Sequence, residues 1–388
     1  MHLMSKKIGI VSAYYLPHLG GVEQFTDSLA HELVRMGHLV KIVTCGNTGH
    51  VERQSPCEGI EVFRLPGRSL LGDRFPMLRK GSELAGACDQ IAQIPLDGML
   101  INTRFYGTTP LALELGRRMG IRPFVLDHGS SYVGFGIPGV DSAVHAYERW
   151  MTRRAKAYDP DFYGISDRSV EWLRTFGIEA AGVIHNAIDV HEFDALASNR
   201  DFRAELGIAP NTLLAAFTGR MVVTKGIQKI ADVARELEAQ GANVAIVMAG
   251  DGPDKNKVQK AAPPNVKFVG RLAREDVSAL LHQANLFLFP SDTEGLPTSL
   301  LEACASGISA ISTNVGGVRE LMPNDQYGIV LDSANVGQMV EHVLWCNEHR
   351  DVLAQRGAAC RELVMREFSW TKTAQATLDA CEYARRAL

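Results

Sequence analysis

Residues 286–302 read LFLFPSDTEGLPTSLLE. The apolar run Leu286–Phe289 is a short buried strand, ended by Pro290-Ser291. Glu294 falls in the loop that follows, and Glu302 lies two turns into the next helix, on the same side. Strand, loop and helix in this order make the repeating unit of a parallel α/β protein.

The unit recurs in both directions. Upstream, strands are expected at Ile8–Val11, Val40–Val43, Gly98–Ile101 and Phe124–Leu126, with a helix across Gly21–Met36. In that helix Phe25, Leu29, Leu33 and Met36 recur at spacings of three and four. The pattern restarts with strands Leu213–Phe217, Val244–Ala249, Val266–Val269 and Ile308–Ile311, and a helix at Ile227–Gln240. The break lies in Val183–Asn199, where His185-Asn186-Ala187-Ile188-Asp189 reads as a turn. Two α/β domains joined near residue 190 account for the pattern.

Composition is consistent with this. The chain has 388 residues, 46% hydrophobic and 22% charged, which suits two or three ordinary globular domains. A net charge of −4 makes no demand for nucleic acid as a partner. The seven cysteines are scattered and never spaced as C-x-x-C, which argues against a disulfide framework or zinc site and for reduced thiols in the cytoplasm. Residues 1–7 lead straight into a strand without a secretory h-region, and no stretch approaches the ~18 apolar residues of a membrane span.

Four places have the right residue types for chemistry. Gly20-Gly21 opens a helix, which suits either a simple turn or the close approach of a phosphate to backbone N–H groups. Arg220 and Lys225 follow a buried strand, either as solvated loop charges or as cations that neutralise a diphosphate. Glu294 and Glu302 are acceptors for vicinal hydroxyls, while Gly295, Leu296, Pro297 and Thr298 lead into a helix N-terminus suited to phosphate. Read more plainly, Glu294 caps a helix and Glu302 is a surface acid, but Leu300, Leu301, Ala303 and Ala305 make poor company for a solvated charge. His128 follows a strand in Asp127-His128-Gly129, at the end where open α/β sheets place their sites. No H-x-x-x-H metal pattern, nucleophile elbow or Walker A sequence is present.

The order of these segments resembles glycosyltransferase family 4, retaining enzymes with the GT-B fold of two Rossmann-like domains facing across a cleft. The resemblance covers nearly the whole chain. It rests on Gly20-Gly21-Val22-Glu23, Asp127-His128-Gly129, Ile184–Asp189, Gly219-Arg220 with Lys225-Gly226, and Ala249-Gly250-Asp251-Gly252. Phe268-Val269-Gly270-Arg271, Glu294 to Glu302, Gly316–Glu320 and Phe368-Ser369-Trp370 complete the series. It implies an acceptor-side domain of residues 1–190 joined by about 370–388, and a donor-binding domain of residues 191–369. It implies that Arg220 and Lys225 bind the diphosphate of a nucleotide sugar, Glu302 the ribose, and Glu294 the transferred sugar. His128 would face that sugar, Arg271 would lie near the base, and Gly20, Gly21 and Gly295–Thr298 would add backbone contacts. No cofactor or metal is implied, because cations and helix-end N–H groups would stabilise the leaving diphosphate. The departing phosphate itself would take the acceptor's proton, with retention at the anomeric carbon.

Two departures from the family pattern stand out. The junction reads Asn186-Ala187-Ile188-Asp189 instead of Asn-Gly-Ile-Asp, and alanine disfavours a left-handed conformation there. Gly295-Leu296-Pro297 replaces Gly-Phe-Gly, a variant that looks common among enzymes using UDP-linked sugars, N-acetylhexosamines among them. For the acceptor, residues 64–80 hold five basic residues against one acid, interleaved with Leu65, Leu70, Leu71, Phe75, Met77 and Leu78. A second basic piece runs from Arg149-Trp150 to Lys156. Either is ordinary domain surface or a peripheral contact with an anionic inner membrane face, where a lipid-linked glycan acceptor would lie. Two rival readings stay open: a sugar-nucleotide epimerase of similar fold, and a nucleotide-sugar-binding protein without activity.

Overall fold

In a computed structural model the chain is described over residues 5–18, 20–70, 75–134 and 138–386. It divides into two compact units, Met1–Asn186 with Trp370–Leu388, and Ala187–Ser369.

The first unit is built on an eight-stranded sheet. Its strands lie in the order Gly182–Val183, Asp161–Gly164, Phe124–Asp127, Gly98–Asn102, Lys7–Ser12, Leu39–Cys45, Ile60–Leu65 and Glu52–Cys57. All pairs are parallel except the last. Gly98–Asn102 is buried at every position, as a strand covered on both faces must be. The helix Gly21–Arg35 turns Phe25, Leu29 and Leu33 inward at the spacing the sequence predicts. The helix Trp370–Arg386 packs on that helix and on the Gly98–Asn102 strand. Phe25 and Trp370 sit 5.8 Å apart, and Thr373 Oγ1 donates to His185 O at 3.0 Å.

The second unit has a six-stranded parallel sheet. Its order is Val266–Gly270, Val244–Ala249, Leu213–Thr218, Leu286–Phe289, Ser309–Thr313 and Ile329–Leu331. Leu213–Thr218 is buried throughout. The helix Ile227–Ala239 covers it with Ile227, Ile230, Ala234 and Leu237, all fully buried. Each of the larger three contributes about 1.5–3 kcal/mol of apolar burial. Successive strands run outward from Leu213–Thr218 on one side, and the chain then returns to build the other side from Leu286–Phe289. The order therefore reverses between these two strands, which is where open α/β sheets form ligand crevices.

Strands fall within a residue or two of expectation, and Ala187 is not among the residues with positive φ. Residues 64–80 differ from a basic amphipathic loop. Arg64 lies in the Ile60–Leu65 strand, and Gly67–Leu70 pairs with Phe75–Leu78 as a hairpin. Arg64 hydrogen-bonds Leu16 O, Leu65 is buried in the core, and Phe75 packs edge-on against Tyr106 and Tyr147. Arg68, Met77, Arg79 and Lys80 remain exposed, while Leu71 and Arg74 lie outside the described residues. The strand Asp161–Gly164 was not legible because Asp161-Phe162-Tyr163-Gly164 carries too short an apolar run.

Candidate functional site

In the second unit the loops at the carboxyl ends of the two central strands are locked together by backbone. Gly226, at φ +70°, presses so close to the chain that a Cβ there would stand 2.1 Å from Pro290 O. Asp292 N donates to Thr224 O at 2.8 Å, and Lys229 pairs with Asp292 at 2.7 Å. On the far side Gly316, at φ +49°, approaches Gly295 O as closely, and Gly317 N donates to that oxygen at 2.7 Å. Only glycine fits such approaches. They hold the 290–295 loop between the 224–226 turn and the 316–317 turn.

That packing brings together two residues to which the sequence gives separate roles. Lys225 Nζ forms an ion pair with Glu294 Oε1, and Ser291 Oγ donates to the same oxygen at 2.7 Å. Both members of the pair are half-buried. Ser291 itself was not singled out in the sequence; its signal was its place two residues past the strand. Arg220 lies exposed on the same side of the sheet, in the loop after Leu213–Thr218, and Arg271 is exposed after the edge strand Val266–Gly270.

The helix Thr298–Ala305 starts where expected, with Pro297 as its N-cap. Its first intrahelical bond runs from Leu301 N to Pro297 O, so the N–H groups of Ser299 and Leu300 belong to the first turn that has no intrahelical acceptor. Leu296 and Pro297 are buried and hold that start in place; Gly295 and Thr298 are half-buried. Glu302 is half-buried on the second turn, and its carboxylate has no hydrogen-bond partner among the described residues. Burial pushes its carboxyl up to about 7, against the opposing pull of Arg274. A carboxylate taken out of water without a hydrogen-bond donor is a costly arrangement that a pair of hydroxyls would relieve.

In the first unit His128 follows the Phe124–Asp127 strand and packs edge-on against Phe25 at 4.9 Å. Its protonation follows from a chain of hydrogen bonds. Thr26 Oγ1 donates to Val22 O at 2.7 Å, and therefore accepts from Asn102 Nδ2 at 2.9 Å. Asn102 Oδ1 then accepts from His128 Nε2–H at 2.8 Å. The remaining Nδ1 is a hydrogen-bond acceptor. Burial pushes the imidazole down to about 3, so it is neutral at physiological pH. Asn102 was not foreseen.

Gly20 is the N-cap of Gly21–Arg35 and Gly21 its first residue, so the pair opens a helix as expected, and a side chain of that helix shares the position. A Cβ on Gly20 would lie 2.3 Å from Glu23 Oε2, and Glu23 pairs with His18 at 3.3 Å. Burial raises the Glu23 carboxyl above its ordinary range. An acid of the chain itself, Glu23 of the same motif, therefore lines this turn. Gly21 has open space on its Cβ side. Among the described residues no group of three or more His, Cys, Asp and Glu is arranged to hold a metal ion, and no helix is long and apolar enough to cross a membrane.

A family model described as Glycosyltransferase Family 4 matches residues 19–192, and one described as Glycosyl transferases group 1 matches residues 198–362. The two halves are thus matched in order by models of one enzyme group. The chain belongs to the GT-B glycosyltransferases. A glycogen synthase of Mycobacterium tuberculosis is 27% identical over 63% of this chain, which spans 58% of that relative's length. A GDP-mannose-dependent α-mannosyltransferase of the same species is 26% identical over 84% of the chain and 83% of the relative. The solved structure of Anabaena Alr3699/HepE in complex with UDP superposes with a TM-score of 0.72 at 16% identity, covering 97% of this chain and 100% of that one. At that identity the likeness is one of fold. The GT-B family and its two Rossmann-like sheets are therefore those the sequence resemblance implied.

Proposed function

We propose that this glycosyltransferase moves a hexose or N-acetylhexosamine from a UDP-sugar to an acceptor hydroxyl, with retention and without a metal. The observation that carries the reading is the Lys225–Glu294 contact at the strand-order reversal, followed in the chain by a helix that bears the buried Glu302 carboxyl. Lys225, Arg220 and the first turn of Thr298–Ala305 suit the diphosphate, as fixed charges and dipoles that need no reorganisation while the leaving group gains charge. Glu302 suits the ribose diol, and Glu294 the hydroxyls of the sugar. His128, neutral with its proton on Nε2, accepts a hydrogen bond from a sugar hydroxyl at Nδ1. Gly20 and Gly21 add backbone contacts, and Arg271 stands for the base. In this mechanism the departing phosphate takes the acceptor's proton on the face it leaves. The Gly295-Leu296-Pro297 variant, which resembles that of enzymes using UDP-linked sugars, supports uracil as the base; a GDP-mannose enzyme among the relatives makes guanine the competitor to test.

The acceptor we infer is a glycan or lipid-linked glycan, reached from the cytoplasm. What supports a membrane contact is that the two basic segments adjoin: Phe75 of the hairpin meets Tyr147 of the helix Pro138–Lys156 at 5.1 Å. Trp150 is 49% and Met77 41% exposed, with Arg68, Arg79, Arg149, Arg153 and Arg154 exposed around them.

The deciding experiment screens UDP-, GDP- and ADP-sugars for thermal stabilisation, then follows transfer and anomeric configuration by NMR with the donor that binds. Retained transfer from a UDP-sugar is expected. Conversion of donor alone into an isomeric nucleotide sugar would make the protein an epimerase. Binding with neither transfer nor hydrolysis would make it a binding protein.

A further inference from the structure

The ends of the strands Gly98–Asn102 and Phe124–Asp127 are joined by three successive links. Asn102 bonds His128, Thr103 N donates to Leu126 O at 2.8 Å, and Arg104 Nη1 donates to Asp127 Oδ2 at 2.6 Å. Arg104 Nη2 also donates to Glu148 Oε2 at 3.0 Å, and the other oxygen of Glu148 accepts from Val133 N at 2.8 Å. Arg104 and Asp127 are at most 1% exposed and Glu148 is fully buried. The guanidinium lies 4.3 Å from the centre of the Phe176 ring.

We propose that Arg104 is a positioning residue for His128 and for the backbone after it: one buried guanidinium clamps the residue before His128 and, through Glu148, the loop at Val133. This rests on the role given to His128 under the proposed function.

The cluster is poorly explained as a stabilising device. Two carboxylates share one cation away from water, and such sets are often replaced by apolar residues with no loss of stability. Arg104 Nε and the second Asp127 oxygen find no partner among the described residues, and burial pushes the Glu148 carboxyl up to about 7. The backbone before Arg104 is strained: Thr103, a β-branched residue, holds φ at +72°. Strain and buried charge at the carboxyl edge of a sheet are features of sites that need fixed geometry. Here they converge on the two segments that carry the Asn102–His128 hydrogen bond.

The test compares Arg104→Lys and the isosteric Asp127→Asn in wild-type and His128→Ala backgrounds, all well below their melting temperatures. In the wild-type background kcat should fall about tenfold to a hundredfold, the cost of a misplaced group. Nucleoside diphosphate affinity, measured by calorimetry, should not change. In the His128→Ala background the same substitutions should leave kcat within about twofold, because their effect passes through His128. Nitrogen NMR of His128 should show the Nε2–H tautomer in the parent and a tautomer mixture in the variants. Equal losses of kcat in both backgrounds, or an unchanged His128 spectrum in both variants, would overturn the proposal. If the parent turns over no nucleotide sugar, the proposed function falls, and the NMR comparison still decides whether Arg104 positions His128.

Discussion

Replacing Glu302 by glutamine should make the protein more stable and a poorer nucleotide binder at once. The first effect follows from its carboxyl, held near 7 by burial against an ordinary value of 4.5. The folded protein binds this proton more tightly than the unfolded chain does. Stability from the group is therefore complete below about pH 4.5 and is lost as pH rises through about 7. Above pH 7 the loss approaches about 3 kcal/mol, an upper value because the half-buried carboxyl keeps some solvent contact. Glutamine does not ionise and avoids it. At pH 5 the two proteins should melt at similar temperatures; at pH 8 Glu302→Gln should melt up to about 6–12 °C higher, for a unit of this size.

The second effect has the opposite sign. Ribose hydroxyls donate best to an ionised acceptor, and a lost charged hydrogen bond is worth about 1.5–3 kcal/mol, or roughly tenfold to a hundredfold in affinity. Nucleotide sugar affinity of the parent should rise from pH 6 to pH 8 as Glu302 ionises, and that of Glu302→Gln should stay flat. Differential scanning calorimetry and titration calorimetry at both pH values measure the pair of effects. A variant that is no more stable than the parent at pH 8, or that binds the nucleoside diphosphate as tightly, would refute the reasoning.

Activity is expected to survive EDTA, since Arg220, Lys225 and the start of Thr298–Ala305 are proposed to carry the diphosphate; loss of turnover restored by magnesium or manganese would rule this out. His128→Ala should lower kcat while sparing nucleoside diphosphate affinity. Because burial holds the parent imidazole near 3, no limb of the pH–rate profile between 5 and 9 should vanish in the variant. The protein should co-sediment with phosphatidylglycerol vesicles, less so as salt rises, and charge reversal at Arg68 and Arg79 should abolish it; equal recovery of parent and variant would leave the face as ordinary surface.

Much of the fold was legible because each central strand is an unbroken apolar run, as Leu213–Thr218 and Leu286–Phe289 are, and each is followed by a helix with a 3.6-residue stripe. What stayed hidden depends on contacts distant in sequence. The pairing of Gly67–Leu70 with Phe75–Leu78 falls in a stretch whose glycines and interspersed charges read as a loop, and its packing through Phe75 on Tyr106 and Tyr147 leaves no local signature. Residue types at the candidate site were readable one at a time; their partners were not. Nothing within the sequence near 128 points to Asn102, 26 residues away, or to the Arg104–Glu148 contact across 44 residues.

The Lys225–Glu294 pair changes how the division of labour at the donor site must be tested. Read separately, lysine holds diphosphate and glutamate holds sugar, so that Glu294→Ala should leave nucleoside diphosphate binding nearly intact. Read as a pair, Glu294 also tethers Lys225 and offsets its charge. Removing the acid takes a negative charge away from the place where phosphate must bind, which favours the diphosphate; it also frees a four-carbon side chain, whose ordering then opposes binding. These terms oppose each other and each is about 1–2 kcal/mol, so nucleoside diphosphate affinity in Glu294→Ala should stay within about tenfold of the parent. The sugar has no such compensation. Its hydroxyls lose an acceptor as positive charge develops at the anomeric carbon, so kcat should fall by far more than affinity does. Calorimetry with the nucleoside diphosphate, run beside kinetics on the intact donor, separates the two. If Glu294→Ala remains folded and loses diphosphate affinity as severely as Glu302→Ala, the assignment of sugar to Glu294 and ribose to Glu302 is wrong.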